Sequence, residues 1–260
     1  ETGQESQVFT AGFNLAMVAA YRGELDDATV LGRQLYEQGR DTGVPWTERN
    51  GVGLLAFIAM TTGDMAEAIG YFARNDELCE SMNLHEPGFR RYQGDFVEVL
   101  VNVGEIDRAK QLLGTMLERG TRLGRPSMLA AAHRGVALVA ATDGDRDAAV
   151  AAAEQAKAVL DGTSLEYDRA RNALTLGMIF RRFKERSSAR TTLDDALLRF
   201  ERMGAVRFVE RVERELGRVG GRAPKSVSSA LTATELRVAE LAAAGRTTRQ
   251  IADELFISVK

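Results

Sequence analysis

A six-residue pattern recurs five times along the chain at nearly constant spacing. It consists of glycine, an acidic residue, three variable residues and alanine, and the fifth copy begins with lysine instead of glycine. The copies are GELDDA at 23–28, GDMAEA at 63–68, GEIDRA at 104–109, GDRDAA at 144–149 and KERSSA at 184–189. Their starts lie 40, 41, 40 and 40 residues apart. Self-similarity at a fixed period of this length is typical of stacked repeats.

Each conserved position of the pattern has a physical use at a turn between two helices. Glycine ends a helix readily because it adopts the left-handed conformation without a Cβ penalty. An acid at the start of the next helix is favoured by the helix dipole. A small alanine lets two helix backbones approach closely. We therefore predict close helix–helix contacts at Ala28, Ala68, Ala109, Ala149 and Ala189.

Apolar residues recur eight, five and four positions before each turn. The three sets are Leu15, Leu55, Phe96, Val136 and Leu176; Val18, Ile58, Val99, Val139 and Ile179; and Ala19, Ala59, Leu100, Ala140 and Phe180. Spacings of three and four place these residues on one helical face. Pro45, Pro87 and Pro126 lie 17 or 18 residues before their turns, where proline is tolerated at a first helical position.

Composition agrees with a helical protein. The chain has 37 alanines and only 4 prolines among 260 residues, and alanine is the best helix former whereas proline removes a hydrogen-bond donor. A single cysteine, Cys79, excludes an intramolecular disulfide and suits a reducing cytosol. The longest apolar run, Leu54 to Met60, is too short to cross a membrane. We expect a cytoplasmic protein, cut from a longer chain because Glu1 is not a methionine.

The turn pattern between paired amphipathic helices resembles that of tetratricopeptide repeats. A period of 40 exceeds that family's usual 34, so the helices are expected to be longer. The resemblance covers about residues 7–204, with a capping helix expected at 205–218. It implies an all-α fold, a right-handed superhelix of about five long helix pairs, whose inner surface binds a partner.

The C-terminal stretch departs from the repeat. Residues 217–229 are rich in glycine, serine and proline, which is typical of a flexible linker. Beyond it, Thr232 and Glu235 form a capping-box pattern before an amphipathic helix. Gly245 would end that helix, and Thr247 can cap a second one that runs to about Leu255. This is the layout of a helix-turn-helix motif.

These residues resemble the opening of the LuxR-type DNA-binding domain. The matching positions are Leu231, Thr232, Glu235, Val238, Leu241, Ala243, Gly245, Ile251, Ala252, Leu255, Ile257 and Ser258. The resemblance implies that the recognition helix would begin at Ser258, so this chain, ending at Lys260, is expected to lack specific DNA binding. We predict a repeat domain with its cap at 1–218, a linker at 219–230, and an incomplete helix-turn-helix domain at 231–260.

By resemblance, Thr247, Thr248, Arg249 and Lys260 match positions that face the phosphate backbone of DNA. The physical argument agrees, because a capped helix N-terminus and a cation both attract phosphate. The alternative is that Thr247 is only an N-cap and Arg249 a solvated surface residue.

Other patterns do not amount to a site. Asp143, Asp145, Asp147 and Glu154 match positions of a calcium loop, but Ala148 occupies the position that needs glycine. The two histidines, His85 and His133, lie 48 residues apart without metal-ligand spacing. Cys79 is interpreted as a small buried residue. Trp46 either packs at a repeat junction or anchors a ligand in the groove. No metal, cofactor or catalytic group is expected.

The sequence thus predicts the sensory and regulatory part of a bacterial LuxR-type transcription regulator. Its repeats would bind a signal or a protein partner, and a complete C-terminal domain would bind promoter DNA. A homodimer is left open, and no membrane contact is expected. The alternative is a protein-interaction scaffold of tetratricopeptide type without a direct role on DNA.

Overall fold

The computed structural model describes residues 2–220 and, beyond them, Leu241, Arg246, Thr247 and Gln250; side chains are described from Gly12 onward. The chain divides into two compact units, Glu1–Gly221 and Arg222–Lys260. The described residues form helices and connecting turns with no strand, which confirms the all-α prediction for them. None of these helices is long and apolar enough to span a bilayer.

The first unit contains eleven α-helices and one 3-10 helix, which spans Pro87–Arg90, among its described residues. The α-helices are α1 Thr2–Tyr21, α2 Leu25–Thr42, α3 Pro45–Thr62, α4 Met65–Ser81, α5 Gln93–Val103, α6 Ile106–Arg122, α7 Pro126–Thr142, α8 Arg146–Leu160, α9 Glu166–Arg182, α10 Arg186–Met203 and α11 Val206–Val219.

Helices α1 to α10 form five consecutive pairs, as the repeat predicts. The second helix of each pair packs against the first helix of its own pair and against the first helix of the next pair. First helices of successive pairs also contact one another. This neighbour-to-neighbour packing confirms the prediction of about five helix pairs, while the handedness of the superhelix stays a prediction.

The five turns within the pairs share one backbone geometry. Gly23, Gly63, Gly104 and Gly144 have φ between 83° and 95°, and Lys184 takes the same left-handed region with φ 64°. In every turn the amide of the following acid donates to the carbonyl five residues earlier, at 2.9 to 3.0 Å. This is the hydrogen bond of a Schellman cap, so the predicted helix ends are confirmed, the lysine copy included.

The predicted alanine contacts are confirmed, since Ala28, Ala68, Ala109, Ala149 and Ala189 are all at most 1% exposed. The apolar face predicted before each turn is mostly buried in the second to fifth pairs. In the first pair, however, Leu15 and Val18 are 71% and 48% exposed. No described helix pair precedes α1, so nothing among the described residues covers that face.

The third repeat departs from the pattern at its proline. Pro45 and Pro126 begin α3 and α7, but Pro87 begins the 3-10 helix and α5 starts only at Gln93. The physical reason lies in Arg90, whose fully buried side chain turns inward to ion pairs with Asp76 and Glu80 at 3.1 and 2.9 Å. The segment between the two helices is thereby held in place.

Helix α11 joins the last pair to the first. Phe208 stacks on Phe200 of α10, with ring centroids 5.0 Å apart, and lies 6.2 Å from Tyr21 at the end of α1. The Arg207 guanidinium donates to the carbonyl of Thr61 in α3 at 3.2 Å. Residues of all five pairs and of α11 therefore belong to one large hydrophobic cluster, and a second, smaller cluster lies between α7, α8 and α9.

Candidate functional site

A cavity of about 750 Å³ lies between the first helices of the pairs. Equivalent repeat positions line it. The residues seventeen positions before the turns are Trp46, Pro87, Ser127 and Tyr167, and those thirteen before are Asn50, Arg91, Ala131 and Arg171. In α3, α7 and α9 these positions are four residues apart and so lie on one helix face, whereas Pro87 and Arg91 belong to the segment that precedes α5. The repeat therefore builds the cavity, and its volume is in the range of small-molecule sites.

Aromatic rings form much of the cavity wall. Trp46 meets Phe89 edge to face with centroids 5.6 Å apart, and the Arg49 guanidinium lies 5.4 Å from the Trp46 ring. At the other end, Tyr21 and Tyr167 pack edge to face at 5.5 Å. Such surfaces offer large apolar contact area, and their orientation is fixed by the neighbouring rings.

The segment between α4 and α5 forms one side of the cavity, and the Asp76 carboxylate makes three of the contacts that fix it. Asp76 accepts hydrogen bonds from the Arg90 guanidinium at 3.1 Å, the Tyr92 hydroxyl at 2.8 Å and the Gln93 amide at 3.0 Å. Burial, followed by the charge of Asp76, raises the pKa of Tyr92 well above its ordinary value. That hydroxyl therefore remains a hydrogen-bond donor.

A group of arginines and carboxylates, here called the interior charge cluster, lies beside the cavity. Its members are Arg91, Arg134, Arg171 and Arg211, with Asp95, Glu98 and Asp168. Arg171 reaches Asp95 at 2.6 Å and Glu98 at 2.8 Å. Arg211 of α11 pairs with the same Glu98, and Arg91 pairs with Asp168 at 3.3 Å.

The pKa values of the two most buried carboxylates of the cluster shift in opposite directions. Burial acts to raise the pKa of Glu98, but three guanidinium groups outweigh it and lower that pKa to about 2. They belong, in decreasing order of effect, to Arg211, Arg171 and Arg134. For Asp168, burial dominates and raises the pKa despite Arg91 and the other arginines. Glu98 is thus a strongly held anion, whereas Asp168 is only partly compensated.

Arg134 differs from the other members of the cluster. It is only 4% exposed and lines the cavity, yet it makes no hydrogen bond or ion pair with any residue that the structure describes. Burial lowers the pKa of Arg134, and repulsion from Arg171 adds to this effect. A guanidinium nevertheless stays charged at neutral pH. The cluster thus holds four cations and three anions. Asp95, Glu98 and Asp168 attract Arg134 through space, but it is the one cation of the cluster that makes no direct hydrogen bond or ion pair with a described residue.

The structure also places the residues that the sequence singled out. Trp46 lines the cavity and also packs edge to face on Phe89 of the next repeat, so the ligand-anchor interpretation stays a prediction. Cys79 is buried and accepts a hydrogen bond from Arg49 Nε at 3.3 Å. His133 is partly buried, and burial lowers its pKa. His85 is exposed near Glu80.

The four acids of the calcium template have separate partners. Asp145 caps α8 by accepting from the Ala148 amide at 3.0 Å. Asp143, Asp147 and Glu154 pair respectively with Lys110, Arg146 and Lys157. Among the described residues, no three His, Cys, Asp or Glu side chains are grouped as metal ligands.

Sequence reasoning missed Arg134 and Arg171. A signal for Arg134 exists, because it is the only Asp, Glu, Lys or Arg in α7, a helix whose other residues are mostly alanine or apolar. A lone cation on such a helix indicates either a buried partner or a ligand. Which of the two applies depends on α5 and α9, which are distant in the sequence.

Of the four predicted DNA-contact residues, only Thr247 lies within the described residues; Thr248, Arg249 and Lys260 do not. Thr247 and Gln250 form a reciprocal cap: the Thr247 amide donates to Gln250 Oε1 at 2.9 Å, and the Gln250 amide donates to Thr247 Oγ1 at 3.4 Å. The predicted N-cap is therefore confirmed. The Arg246 amide donates to the Leu241 carbonyl at 3.1 Å, as in a Schellman cap.

Comparison with known proteins bears on this second unit. Residues 229–260 match the family model described as bacterial regulatory proteins, luxR family. No curated protein matches the chain. A match to this family indicates a DNA-binding transcriptional regulator. The chain thus combines a helical-repeat region of five pairs with a C-terminal segment that is similar to the luxR family of bacterial regulatory proteins.

Proposed function

We propose that the chain is the signal-receiving part of a cytoplasmic transcription regulator. The repeats bind an effector or a protein partner, and the C-terminal unit provides the contact to DNA. The family match at 229–260 carries this proposal. The cavity supports it, because a cavity of this size within the repeat unit can receive an effector molecule. The division into a repeat domain at 1–218, a linker at 219–230 and a DNA-contact segment at 231–260 belongs to the same proposal.

Within the C-terminal segment, Thr247, Thr248, Arg249 and Lys260 are proposed to contact phosphate. The reciprocal cap of Thr247 supports a helix start at this position, and the positive end of a helix dipole attracts anions. Phosphate contacts fix the orientation of a protein on the duplex but read no sequence. The binding expected of these residues is therefore weak, sensitive to salt and independent of sequence.

Fluorescence anisotropy with a labelled random-sequence duplex tests this contact. Each phosphate contact contributes about one unit to the slope of log affinity against log salt concentration. We expect Arg249→Gln to weaken binding and to reduce that slope by about one. Arg122→Gln is the matched control, because Arg122 is an exposed arginine at the end of α6 in the repeat unit.

Equal affinity and equal salt slope for the unaltered chain and Arg249→Gln would contradict the DNA contact. The interaction scaffold would then be the better description of the chain. If Arg122→Gln reduces the slope as much as Arg249→Gln, the attraction is spread over the arginines of the whole surface and is not a property of the C-terminal segment.

A further inference from the structure

We propose that the cavity binds a small organic anion, with its acidic group at Arg134 and its apolar body against the aromatic wall. This inference rests on the proposed function, because it names the chemical class of the signal that the repeats receive. It also assigns a role to Arg134, the one member of the interior charge cluster without a partner among the described residues.

The first argument is the charge of the site. A buried charge without a hydrogen-bonded partner is unfavourable, and Arg134 cannot lose its proton to avoid that cost. Asp95 and Glu98 are already engaged by Arg171 and Arg211. An anionic group entering from the cavity would supply the missing fourth negative charge of the cluster.

The second argument is the net charge of the residues that line the cavity. Six arginines and two aspartates line the cavity, a formal charge of +4, although the chain as a whole carries −3. Some of these arginines are held by internal partners, as Arg90 is by Asp76 and Glu80. Their field nevertheless favours an anion over a cation or a neutral polar molecule.

The third argument is the shape and chemistry of the wall. Arg134 as a whole is 4% exposed and lines the cavity, so a group that reaches its guanidinium must enter the cavity. A volume of about 750 Å³ accommodates a small molecule, and the rings of Trp46, Tyr21 and Tyr167 provide an apolar surface for the rest of it. A carboxylate, a phosphate and a sulfonate share the chemistry that Arg134 recognises.

Trp46 allows a direct test, because it is the single tryptophan of the chain and lines the cavity. Anilinonaphthalene sulfonate, an aromatic anion, is titrated into the full chain while energy transfer from Trp46 to the dye is measured. Phenylnaphthylamine, which lacks the sulfonate, is the neutral counterpart. We expect saturable energy transfer to the anionic dye. The neutral dye should bind with an affinity at least about tenfold lower.

Competition then identifies the acidic group. Naphthoate, naphthyl phosphate and the uncharged naphthamide are compared as displacers of the bound sulfonate dye. We expect both anions to displace the dye at concentrations at least tenfold lower than naphthamide. Whichever of naphthoate and naphthyl phosphate displaces it at the lower concentration shows whether the site prefers a carboxylate or a phosphate. Equal displacement by all three would overturn the inference.

Arg134→Met is the decisive variant, with Arg122→Met as its control. Removing the unpartnered charge leaves three cations and three anions in the interior charge cluster, so the empty variant should melt no lower than the unaltered chain. Its affinity for the sulfonate dye should fall about 10- to 100-fold, while its affinity for phenylnaphthylamine stays within twofold. Arg122→Met should change neither.

Two results would overturn the inference. Unchanged dye affinity in Arg134→Met would show that the anion does not meet this arginine. A large loss of thermal stability or of helical circular dichroism would show that Arg134 supports the fold itself. Failure of the DNA experiment with Arg249→Gln leaves these dye results unaffected, so the two proposals fail separately.

Discussion

The Arg171 guanidinium donates to the Glu98 carboxylate at 2.8 Å and joins residues that are 73 positions apart in the chain. Glu98 lies in α5 and Arg171 in α9, so the contact links the third helix pair to the fifth across the interior. Both side chains are at most 5% exposed. Arg211 of α11 binds the same carboxylate, and one acid thereby ties three parts of the repeat unit together.

We expect Arg171→Met to lower the free energy of unfolding by about 3 kcal/mol, because it leaves Asp95 and Glu98 buried with fewer cations. Urea denaturation measures this loss. The control is Arg108→Met, which breaks an exposed ion pair with Glu105 and should cost less than about 1 kcal/mol. Similar small losses in both variants would mean that the interior pairs contribute little.

The pH dependence of stability should follow Glu98. Its folded pKa of about 2 lies below the ordinary value of 4.5, so its charged form stabilises the fold. This contribution is present above about pH 4.5 and is lost as the pH falls towards 2, on the order of 3 kcal/mol in full. Glu98→Gln should flatten the decline of unfolding free energy in this range, and an unchanged decline would contradict the assignment.

Ala109→Leu should overpack the contact between α5 and α6 and lower the free energy of unfolding by about 1–3 kcal/mol. Ala109 is fully buried at the repeat turn. Ala151→Leu is a suitable control because Ala151 is exposed on α8, and it should leave stability nearly unchanged. A thermal midpoint that Ala109→Leu does not shift would contradict close packing at this position.

Glycine in place of Lys184, as at the equivalent position of the other four turns, should stabilise the fifth turn. Lys184 has φ 64°, a region in which a side chain costs about 1–2 kcal/mol. Lys184→Gly should therefore raise the unfolding free energy by about 1 kcal/mol, less than the full strain because glycine gains freedom in the unfolded chain. The converse change, Gly144→Ala, should lower it. A destabilised Lys184→Gly would point to a contact of the lysine side chain.

The repeat architecture could be predicted from the sequence because its signals are local. The turn at Gly63 and Asp64 and the buried Ala68 follow from residues within one six-residue segment. The start of α5 at Gln93 could not be predicted in this way. It depends on Arg90 turning inward to Asp76, and that partner belongs to the preceding helix.

The interior charge cluster was not predictable for the same reason. The first helices are apolar around much of their circumference, so the sequence pattern does not show which face is turned to the cavity. Arg134 stands out within α7. That it lacks a direct ion pair follows only from the structure, in which Asp95, Glu98 and Asp168 pair with other arginines.

Anomalous diffraction from crystals of the chain soaked in sodium bromide would locate an anion without assumptions about the natural ligand. Bromide is small enough to enter the cavity and scatters anomalously at a wavelength that identifies it. We predict a bromide peak inside the cavity at hydrogen-bonding distance from the Arg134 guanidinium, and its loss in crystals of Arg134→Met. Peaks only at exposed arginines outside the cavity such as Arg122, with none beside Arg134, would contradict an anion site in the repeat unit.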